Sequence, residues 1–397
     1  MKIDWKSPRK VSWFLNAVLF NLCRFIPFRQ NSLWIFGGRE GEQYDDNSRY
    51  LFEYVNEHYS DMIHAVWLTK QKETVNRIRK LGYEAYTFNS VKGKLIECKA
   101  GVAIYSHALI DFGLFPLVGG AFIVSLWHGV GFKKCYNDKY SGWSLRIKKM
   151  MDFFFSWTHR DLTIVPSEYV KKQFTGIFGL GPSAKISIAG QPRNDVFKHN
   201  LKKDVVLKKI AIDYNKQIVI YMPTYRGKAM GANAMTKIVS DLYNNKTLDE
   251  VLTREKVIFV VKLHPLTPHI DLPNRENFII MDYRAVESNQ ELLGVSDVLI
   301  TDFSSCCVDF ALLGRPVIFY TPDKDEFIKN SDPIYDELLP IFDLNCCETP
   351  DELAEKVSHP SNAALDKLNE VFEDESIKGT CYSENVYNAI CKEIGLA

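Results

Sequence analysis

Residues 298–320 read VLITDFSSCCVDFALLGRPVIFY, and this stretch indicates the fold more clearly than any other part of the chain. The apolar run Val298–Ile300 predicts a buried strand, and a polar turn at 301–305 follows it. Apolar residues at helical spacing then lead to Gly314, a typical helix end, before the second apolar run Pro316–Tyr320. This order is the β-turn-α-β unit of a parallel sheet. Hydroxyl groups at the helix start suit phosphate, because the first N–H groups of a helix lack partners; helix capping is the common structural alternative.

Length and composition predict a folded protein of two domains. The chain has 397 residues, which exceeds one ordinary domain, and it is 46% hydrophobic and 25% charged. Its 49 basic and 49 acidic residues cancel, so no overall field recruits nucleic acid, and we expect no nucleic-acid partner. The nine cysteines are odd in number and lack zinc-ligand spacing, which is typical of a reduced, cytosolic protein. We therefore expect no dedicated metal site and no cofactor.

The first thirty residues combine positive charge with apolar side chains. Six Lys and Arg residues oppose the single Asp4. The run Val11–Phe28 has no signal-peptide cleavage site, and it is too short and too interrupted by polar groups for a spanning helix. It fits a helix lying in the headgroup layer, with basic flanks attracted to anionic lipid; a helix packed on the protein's own body is the alternative. The segment Trp143–Phe155 presents the same two interpretations.

Apolar runs alternate with helical patterns along the whole chain. The predicted strands are Leu33–Phe36, His64–Leu68, Ala100–Tyr105, Phe122–Leu126 and Leu162–Val165, then Ile218–Tyr221, Val257–Val261, Phe278–Ile280, Val298–Ile300 and Val317–Tyr320. This alternation predicts doubly wound parallel sheets in two α/β domains, 31–200 and 201–397, after an N-terminal segment 1–30. The terminal helix, Ser383–Ile394, is a candidate to pack back onto the N-terminal domain. Facing domains of this kind form a cleft at the carboxyl ends of their strands, where ligands bind.

Polar and charged residues follow the predicted strands. The candidate site residues are His128, Arg193, Asn194, Thr224, Arg226, Lys262, His264, Thr301, Asp302, Ser304, Ser305 and Arg315. Gly129 and Gly131 allow the His128 region to approach a ligand closely. Lys262 and His264 point to one side of an extended chain, and paired cationic groups are costly unless an anion lies between them. Arg226 offers a planar fork suited to phosphate or carboxylate.

Each candidate also has a purely structural interpretation. His128 suits a bond to a neighbouring carbonyl, Arg193 and Asn194 suit an ordinary turn, and Arg315 suits the C-terminal end of a helix. Taken together, the set suits transfer involving a diphosphate, which needs positioning and charge neutralisation. No P-loop and no G-x-G-x-x-G after a strand are present, so neither an ATPase nor a dinucleotide enzyme is indicated.

Five motifs, in order, resemble those of the CDP-glycerol glycerophosphotransferase family of teichoic acid synthesis. They are Trp127-His128-Gly129, Gly190-Gln191-Pro192-Arg193-Asn194-Asp195, Pro223-Thr224-Tyr225-Arg226, Lys262-Leu263-His264-Pro265 and Thr301-Asp302-Phe303-Ser304-Ser305. The segments Phe36-Gly37-Gly38 and Asp46-Asn47-Ser48 are also similar to that family's first strand and helix. Position 303 is Phe where the family often has Tyr.

The resemblance implies a GT-B-like fold and an enzyme that moves glycerol phosphate from CDP-glycerol to a lipid-linked or polymer hydroxyl, releasing CMP, in teichoic-acid-like or capsular polymer synthesis. It implies that His128 is the base and that His264 contacts the diphosphate and stabilises the departing CMP. It places Thr301, Asp302, Ser304 and Ser305 at the donor phosphates, with Arg226 and Arg315 as further candidates there. It also implies peripheral attachment to the cytoplasmic face of the cell membrane. A CDP-ribitol-dependent transferase, a nucleotide-sugar glycosyltransferase and an inactive adaptor are the alternatives. The sequence does not distinguish glycerol from ribitol, or a primase from a polymerase.

Overall fold

The computed structural model describes residues 8–147, 159–199, 201–213, 215–227, 230–231, 233–281, 285–286, 288–331 and 333–396. The chain divides into two compact units. The first comprises Met1–His128, Tyr136–Asp195 and Asp374–Ala397, and the second comprises Gly129–Cys135 and Val196–Glu373. The C-terminal residues therefore belong to the first unit, and the main crossing lies at Val196, a few residues before the predicted boundary.

The first unit is built on a seven-stranded sheet in which all neighbouring strands are parallel. Its strands are β1 Gln30–Gly37, β2 His64–Thr69, β3 Ala85–Thr87, β4 Ala100–Tyr105, β5 Phe122–Ser125, β6 Leu162–Val165 and β7 Lys185–Ile188. The spatial order is β3-β2-β1-β4-β5-β6-β7. The order reverses between β1 and β4, and loops that leave such a switch point in opposite directions open a crevice at the carboxyl ends of the strands.

The second unit repeats this arrangement with six parallel strands. They are β8 Gln217–Tyr221, β9 Val257–Lys262, β10 Phe278–Met281, β11 Val298–Thr301, β12 Val317–Tyr320 and β13 Cys346–Cys347. Their order is β10-β9-β8-β11-β12-β13, so the switch point lies between β8 and β11. The ten predicted strands are confirmed. The two predicted series did not include the short strands β3, β7 and β13.

Helices connect the strands of both sheets. In the first unit they are Pro8–Cys23, Asp46–His58, Lys72–Lys80, Val91–Lys99, Glu168–Phe178 and Tyr382–Ile394. In the second unit they are Lys203–Lys208, Ala234–Asn244, Lys246–Arg254, Asn289–Val295, Cys306–Ala311, Lys324–Asn330, Leu339–Asp343, Pro350–Ser358 and Leu365–Phe372. Short 3-10 helices occupy Arg39–Gly41, Leu109–Phe112, Tyr136–Lys139, Pro192–Lys198 and Asp336–Leu338.

Side-chain alternation along β1 explains why both faces of the first sheet are covered. Trp34 and Phe36 belong to the core cluster that includes Tyr387 of the terminal helix. Leu33 and Ile35, on the opposite face, belong to the cluster that includes Phe20 of the N-terminal helix. The terminal helix thus packs in the first unit, on a sheet with two buried faces.

The N-terminal helix, Pro8–Cys23, packs on the protein body with one face only. Asn16, Ala17, Phe20 and Cys23 are buried. The opposite face exposes the large apolar side chains Leu15, Val18 and Leu22, and the residues after the helix expose Phe25 and Phe28. Among the described residues, none of the helices combines the length and the apolar character needed to cross a bilayer.

Arg29 does not face outwards, as would be expected of a basic residue that binds lipid headgroups. Its guanidinium donates hydrogen bonds to the backbone carbonyls of Glu97, Ala100, Leu117 and Gly119 at 2.5–3.0 Å. These bonds connect the end of the N-terminal segment to the body of the unit. The role of this arginine is therefore structural.

The second candidate interfacial segment is described only in part. Residues 142–147 are helical, and Trp143 and Ile147 are exposed, as is Tyr140 just before them. The rest of the predicted segment, from 148 to 155, lies outside the described residues.

Candidate active site

The backbone around His128 is held in an unusual conformation at the end of β5. Trp127 has a φ of 55° and Gly129 a φ of 147°, so left-handed residues flank the histidine on both sides. The Asn47 side chain donates to the Trp127 carbonyl at 2.8 Å, and Arg193 donates to the His128 carbonyl at 2.6 Å. Strained backbone persists only where its surroundings fix it, and it is concentrated at functional sites.

Arg193 is part of the internal scaffold that fixes this loop. Its guanidinium also forms an ion pair with Asp46 at 3.0 Å and donates to the Gln191 side chain at 3.1 Å. Both ends of the ion pair are buried, with side-chain exposures of 7% and 3%. Asn194 is likewise buried, at 3% exposed. The structure therefore places both predicted substrate-binding residues in the interior behind the His128 loop.

The rest of that motif fastens the terminal helix. Asp195 accepts hydrogen bonds from the backbone N–H groups of Tyr382 and Ser383, both at 2.7 Å, and so satisfies donors at the helix start. Gly190 has a φ of 84°, and a Cβ there would lie 2.1 Å from the Tyr382 ring. Only glycine fits this close approach.

The His128 side chain is exposed to solvent, and its ring stacks on that of His107. The dense protein surroundings lower the pKa of His128, while Asp46 opposes this shift and Arg193 reinforces it. Since the ring keeps solvent access, the desolvation is partial. A neutral imidazole carries a lone pair on one of its ring nitrogens, which is the form a general base requires.

Sequence reasoning missed His107, whose ring stacks on His128. The ring centroids are 4.3 Å apart and the planes differ by 7°. His107 lies two residues after the end of β4, at the switch point of the sheet. The rule that directed attention to the other strand ends would also have indicated this one.

In the second unit, a buried network joins the loops after β8, β11 and β12. Arg226 donates to Asp302 at 2.5 Å and to both carboxylate oxygens of Asp323 at 2.6 and 2.9 Å. Asp302 also accepts from the N–H and the hydroxyl of Thr224, at 2.8 and 2.6 Å. Arg226 is 5% exposed and Asp302 fully buried. These groups meet at the switch point, where Arg226 connects loops rather than presenting its fork to solvent.

His264 stands at the end of β9 with its ring exposed. Its Nδ1 atom accepts the backbone N–H of Leu266 at 3.2 Å, so the neutral ring carries its proton on Nε2. The ring stacks on Tyr225, with centroids 5.4 Å apart. Lys262 is the last residue of β9 and is buried, at 7% exposed. The structure thus joins the β8 and β9 loops through the Tyr225–His264 pair.

A cavity of about 300 Å³ lies beside this pair. Its lining residues are Tyr225, Arg226, Gly227, Gly231, Met235, Leu266, Thr267 and Pro268. This volume is at the lower end for small-molecule sites, and such pockets are preferentially found at switch points of α/β sheets. The cavity can therefore accept part of a ligand whose polar end reaches the strand-end loops.

The loop after β11 divides into buried and accessible residues. Thr301 and Asp302 are buried, and the Thr301 hydroxyl donates to the Met222 carbonyl at 2.7 Å. Phe303 is 3% exposed and stacks on Phe327 at 4.6 Å, so a tyrosine hydroxyl would enter apolar surroundings there. Ser304 and Ser305 are partly exposed. Of this motif, the two serines are the residues that a ligand can reach.

Arg315 lies away from this loop. Its guanidinium donates to the carbonyls of Gly294 and Ser296, at 2.9 and 2.6 Å. These carbonyls lie at the C-terminal end of the helix Asn289–Val295. The side chain therefore satisfies orphan helix carbonyls, as positively charged groups commonly do. Within the described residues, no group of three or more His, Cys, Asp or Glu side chains is arranged to hold a metal ion.

Two parallel-sheet α/β units with ligand-accessible residues at their strand ends define a GT-B-like fold. The family follows from the sequence as a whole. The chain belongs to the CDP-glycerol:poly(glycerophosphate) glycerophosphotransferase family, whose profile matches residues 18–392.

Two proteins from Bacillus spizizenii align with this chain at low sequence identity. The teichoic acid poly(ribitol-phosphate) polymerase is 27% identical over 339 residues, which cover 83% of this chain and 51% of that protein. The teichoic acid poly(glycerol phosphate) polymerase is 25% identical over 386 residues, which cover 93% and 92%. The chain therefore spans about half of the first relative's length and nearly all of the second's.

A solved structure of the wall teichoic acid polymerase TagF shares this fold. It superimposes with a TM-score of 0.75 at 20% identity, and the match covers 96% of this chain and 94% of that one. At this identity the likeness confirms the predicted fold class.

Proposed function

We propose that the protein transfers glycerol phosphate from CDP-glycerol to a hydroxyl of a lipid-linked or polymer acceptor and releases CMP. Membership of the glycerophosphotransferase family supports this reaction class. The observation that carries the proposal is the exposed imidazole of His128, in a strained loop whose carbonyls at Trp127 and His128 are bonded by Asn47 and Arg193. A solvent-accessible ring of this kind is suited to accept a proton from a substrate hydroxyl.

In this reaction the acceptor oxygen attacks the β-phosphorus of the donor. Its proton passes to the unprotonated nitrogen of the neutral His128 ring. A new P–O bond forms to the acceptor, the anhydride P–O bond to the α-phosphoryl group breaks, and CMP leaves. Catalysis of this reaction rests on positioning and charge stabilisation, as in phosphoryl transfer generally.

We assign donor binding to the accessible residues of the second unit. His264 presents an Nε2–H donor because Nδ1 is occupied by the Leu266 N–H, and this proton suits an oxygen of the departing CMP. Ser304 and Ser305 offer hydroxyls at the next strand end. Arg226 and Asp302 do not contact the donor in this proposal. Their hydrogen bonds hold the loops after β8 and β11 in place. The cavity beside Tyr225 is the candidate position for part of the donor.

A CDP-ribitol-dependent transfer is the second candidate. One relative is a poly(ribitol-phosphate) polymerase and another a poly(glycerol phosphate) polymerase, at 27% and 25% identity. This small difference does not separate the two alditols. Both reactions use the same CDP end of the donor and the same attack on phosphorus.

A donor panel tests the proposed function. The protein, supplied with a lipid-linked acceptor, is incubated with CDP-glycerol, CDP-ribitol, UDP-sugars and CMP-sugars, and the released nucleotide is measured. We expect release with CDP-glycerol, or with CDP-ribitol if the second candidate holds. Release from UDP-sugars alone would indicate a glycosyltransferase, and no release from any donor would support an inactive adaptor.

Ser305→Ala should weaken donor binding more than it slows turnover. Loss of one hydrogen bond to a charged phosphate costs roughly 1.5–3 kcal/mol, which corresponds to about a 10- to 150-fold increase in the Kd for CDP-glycerol. Isothermal titration of donor binding measures this change directly. The exposed Ser361, elsewhere in the same unit, provides the matched Ala control. An unchanged Kd in Ser305→Ala would remove this contact from the site.

We also propose that the first unit binds the cytoplasmic surface of the membrane. The apolar side chains Leu15, Val18 and Leu22 form one face of the N-terminal helix and are 52%, 42% and 59% exposed. Leu114 and Phe115 are exposed as well, and the Leu114 carbonyl accepts a hydrogen bond from the side chain of Asn16 in this helix at 2.6 Å. An exposed apolar helix face followed by the exposed Arg24 is characteristic of helices that lie in the headgroup layer. Such attachment would bring the enzyme to a lipid-linked acceptor.

Substituting Leu22 and Phe25 by Asp should abolish binding to anionic vesicles. Each large apolar side chain contributes roughly 1.5–3 kcal/mol when it leaves water, so each substitution should reduce partitioning about tenfold or more. Flotation with vesicles of phosphatidylglycerol and phosphatidylcholine measures the bound fraction. Val205→Asp, at an exposed apolar residue of the second unit, is the control. Equal flotation of both variants would contradict this assignment of the face.

A further inference from the structure

The loop that follows β4 places the His107 ring against the His128 ring. The two rings are parallel, with centroids 4.3 Å apart and planes that differ by 7°. The preceding residue, Ser106, is fixed, since its hydroxyl lies 2.7 Å from the Ser48 hydroxyl and accepts the Ser48 N–H at 3.0 Å. The stack determines the plane of the His128 ring.

Hydrogen bonds also fix the position of His107. Its Nδ1 atom accepts the backbone N–H of Arg39 at 3.3 Å. Its own backbone N–H donates to Asp111, which also accepts the N–H groups of Glu40 and Ser106, at 2.7 and 3.1 Å. Because Nδ1 is an acceptor, the neutral ring carries its proton on Nε2, and protonation of Nδ1 would break the bond to Arg39.

His107 stays neutral in this position. Burial, followed by repulsion from His128, lowers the pKa of His107 to about 3. The charged groups that face the two rings are Asp46 and Asp111 on the acidic side and Arg39 and Arg193 on the basic side. Asp46 favours the protonated form of His128, and the two arginines oppose it. A neutral His107 adds no full charge to this balance.

We propose that His107 is a positioning residue for His128: a flat ring that holds the base in one plane. This inference rests on the proposed function, in which His128 takes the acceptor proton. A ring free to rotate would present its lone pair to the acceptor for only part of the time. The stack removes that freedom before substrate binds, which lowers the entropic cost of reaching the reactive geometry.

Two substitutions separate the roles of the His107 ring. His107→Phe keeps a flat face for His128 but loses the acceptor for the Arg39 N–H. His107→Asn keeps an acceptor near the Nδ1 position but loses the face. We expect His107→Asn to lower kcat by about tenfold or more, with His107→Phe retaining more activity and the Kd for CDP-glycerol unchanged in both. His58→Asn, at an exposed histidine of the same unit, should have wild-type kcat.

NMR of protein labelled with ¹³C at histidine Cε1 reports on the two rings directly. The His128 resonance should not change in the variants if His107 only stabilises the fold. In the wild type, we expect ring-current shifts on both stacked rings, a His128 titration below the ordinary value of 6.5, and no His107 titration between about pH 5 and 8. The ring-current shift of His128 should persist in His107→Phe and disappear in His107→Asn. In the latter variant, the His128 titration should move up towards 6.5 as the ring enters solvent.

Three results would overturn the proposal. They are wild-type kcat with an unmoved His128 resonance in His107→Asn, wild-type spectra that lack mutual ring-current shifts, and titration of His107 near 6.5. The second and third need no variant to fold. The spectra are recorded without substrate, so a failed donor panel would count against the proposed function and not against the stack.

Discussion

His128→Ala should lower the kcat for transfer from CDP-glycerol by about 10²- to 10⁴-fold, the usual contribution of a positioned general base. The affinity for the donor should remain close to that of the wild type, because the donor loops belong to the second unit. Alanine removes the imidazole but leaves the carbonyls of Trp127 and His128 bonded to Asn47 and Arg193. The loop should therefore keep its conformation, and the loss should appear in kcat. Single-turnover kinetics together with donor titration measure the two quantities separately.

The matched control for this variant is His58→Ala, which removes an exposed imidazole of the same unit. It should leave kcat unchanged. The base assignment would be wrong if His128→Ala retained near-native turnover with both CDP-glycerol and CDP-ribitol. A parallel loss of donor affinity would instead indicate that His128 contributes to donor binding.

Arg226→Met should be the most destabilising substitution in the second unit. The methionine keeps much of the volume, but Asp302 and Asp323 lose the guanidinium that bonds them at 2.5–2.9 Å. Removal of one partner from a buried ion pair typically costs about 3–5 kcal/mol, because the remaining charge is buried without compensation. We expect this loss in the free energy of unfolding of the second unit. Donor binding should fall with it, since Asp302 also holds Thr224.

Urea unfolding followed by hydrogen exchange of second-unit peptides measures this effect. Peptides that contain the ends of β8, β11 and β12 should lose protection at lower urea than in the wild type. Arg254→Met is the control, because Arg254 lies on the surface and pairs with its exposed neighbour Glu255. Surface pairs contribute about 0–1 kcal/mol. Equal stability of Arg226→Met and the wild type would show that the network does not hold the donor loops.

The fold was predictable from the sequence because the period of the apolar residues is a local signal. In the stretch from 298 to 320, a strand at Val298–Thr301, a helix at Cys306–Ala311 and a strand at Val317–Tyr320 all occur as predicted. Gly314 has a φ of 66°, as expected for the turn after this helix. The strands β3 and β13 have three and two residues, which is too short for alternation to be recognised.

The roles of three arginines were not predictable in the same way. Arg193, Arg226 and Arg315 are all predicted as substrate-binding residues, and all three bind groups of the protein itself. A guanidinium fork suits a carboxylate or a carbonyl as well as a phosphate. The choice depends on residues that are distant in sequence, because the partner Asp46 lies 147 positions from Arg193 and Asp302 lies 76 positions from Arg226. The sequence shows that a guanidinium group is present, but it does not show which group the guanidinium binds.

The histidines show the opposite case. His128 and His264 were recognised because each follows a predicted strand, and the structure leaves both rings exposed. What sequence could not provide was the surroundings of each ring. The His107 ring stacks on that of His128, and the Leu266 N–H donates to Nδ1 of His264. The bond to Nδ1 leaves the proton of a neutral His264 ring on Nε2, which suits the donor role in the proposed reaction.

The identity of the released nucleotide tests the central claim most directly. Purified protein, a synthetic lipid-linked acceptor and the CDP-alditol that is active in the donor panel are incubated, and both products are analysed by mass spectrometry. Attack on the β-phosphorus predicts release of CMP and growth of the acceptor by whole alditol-phosphate units. Release of CDP, with growth by units that lack phosphorus, would mean that the bond to carbon breaks instead, and the account given for the two histidines would be wrong.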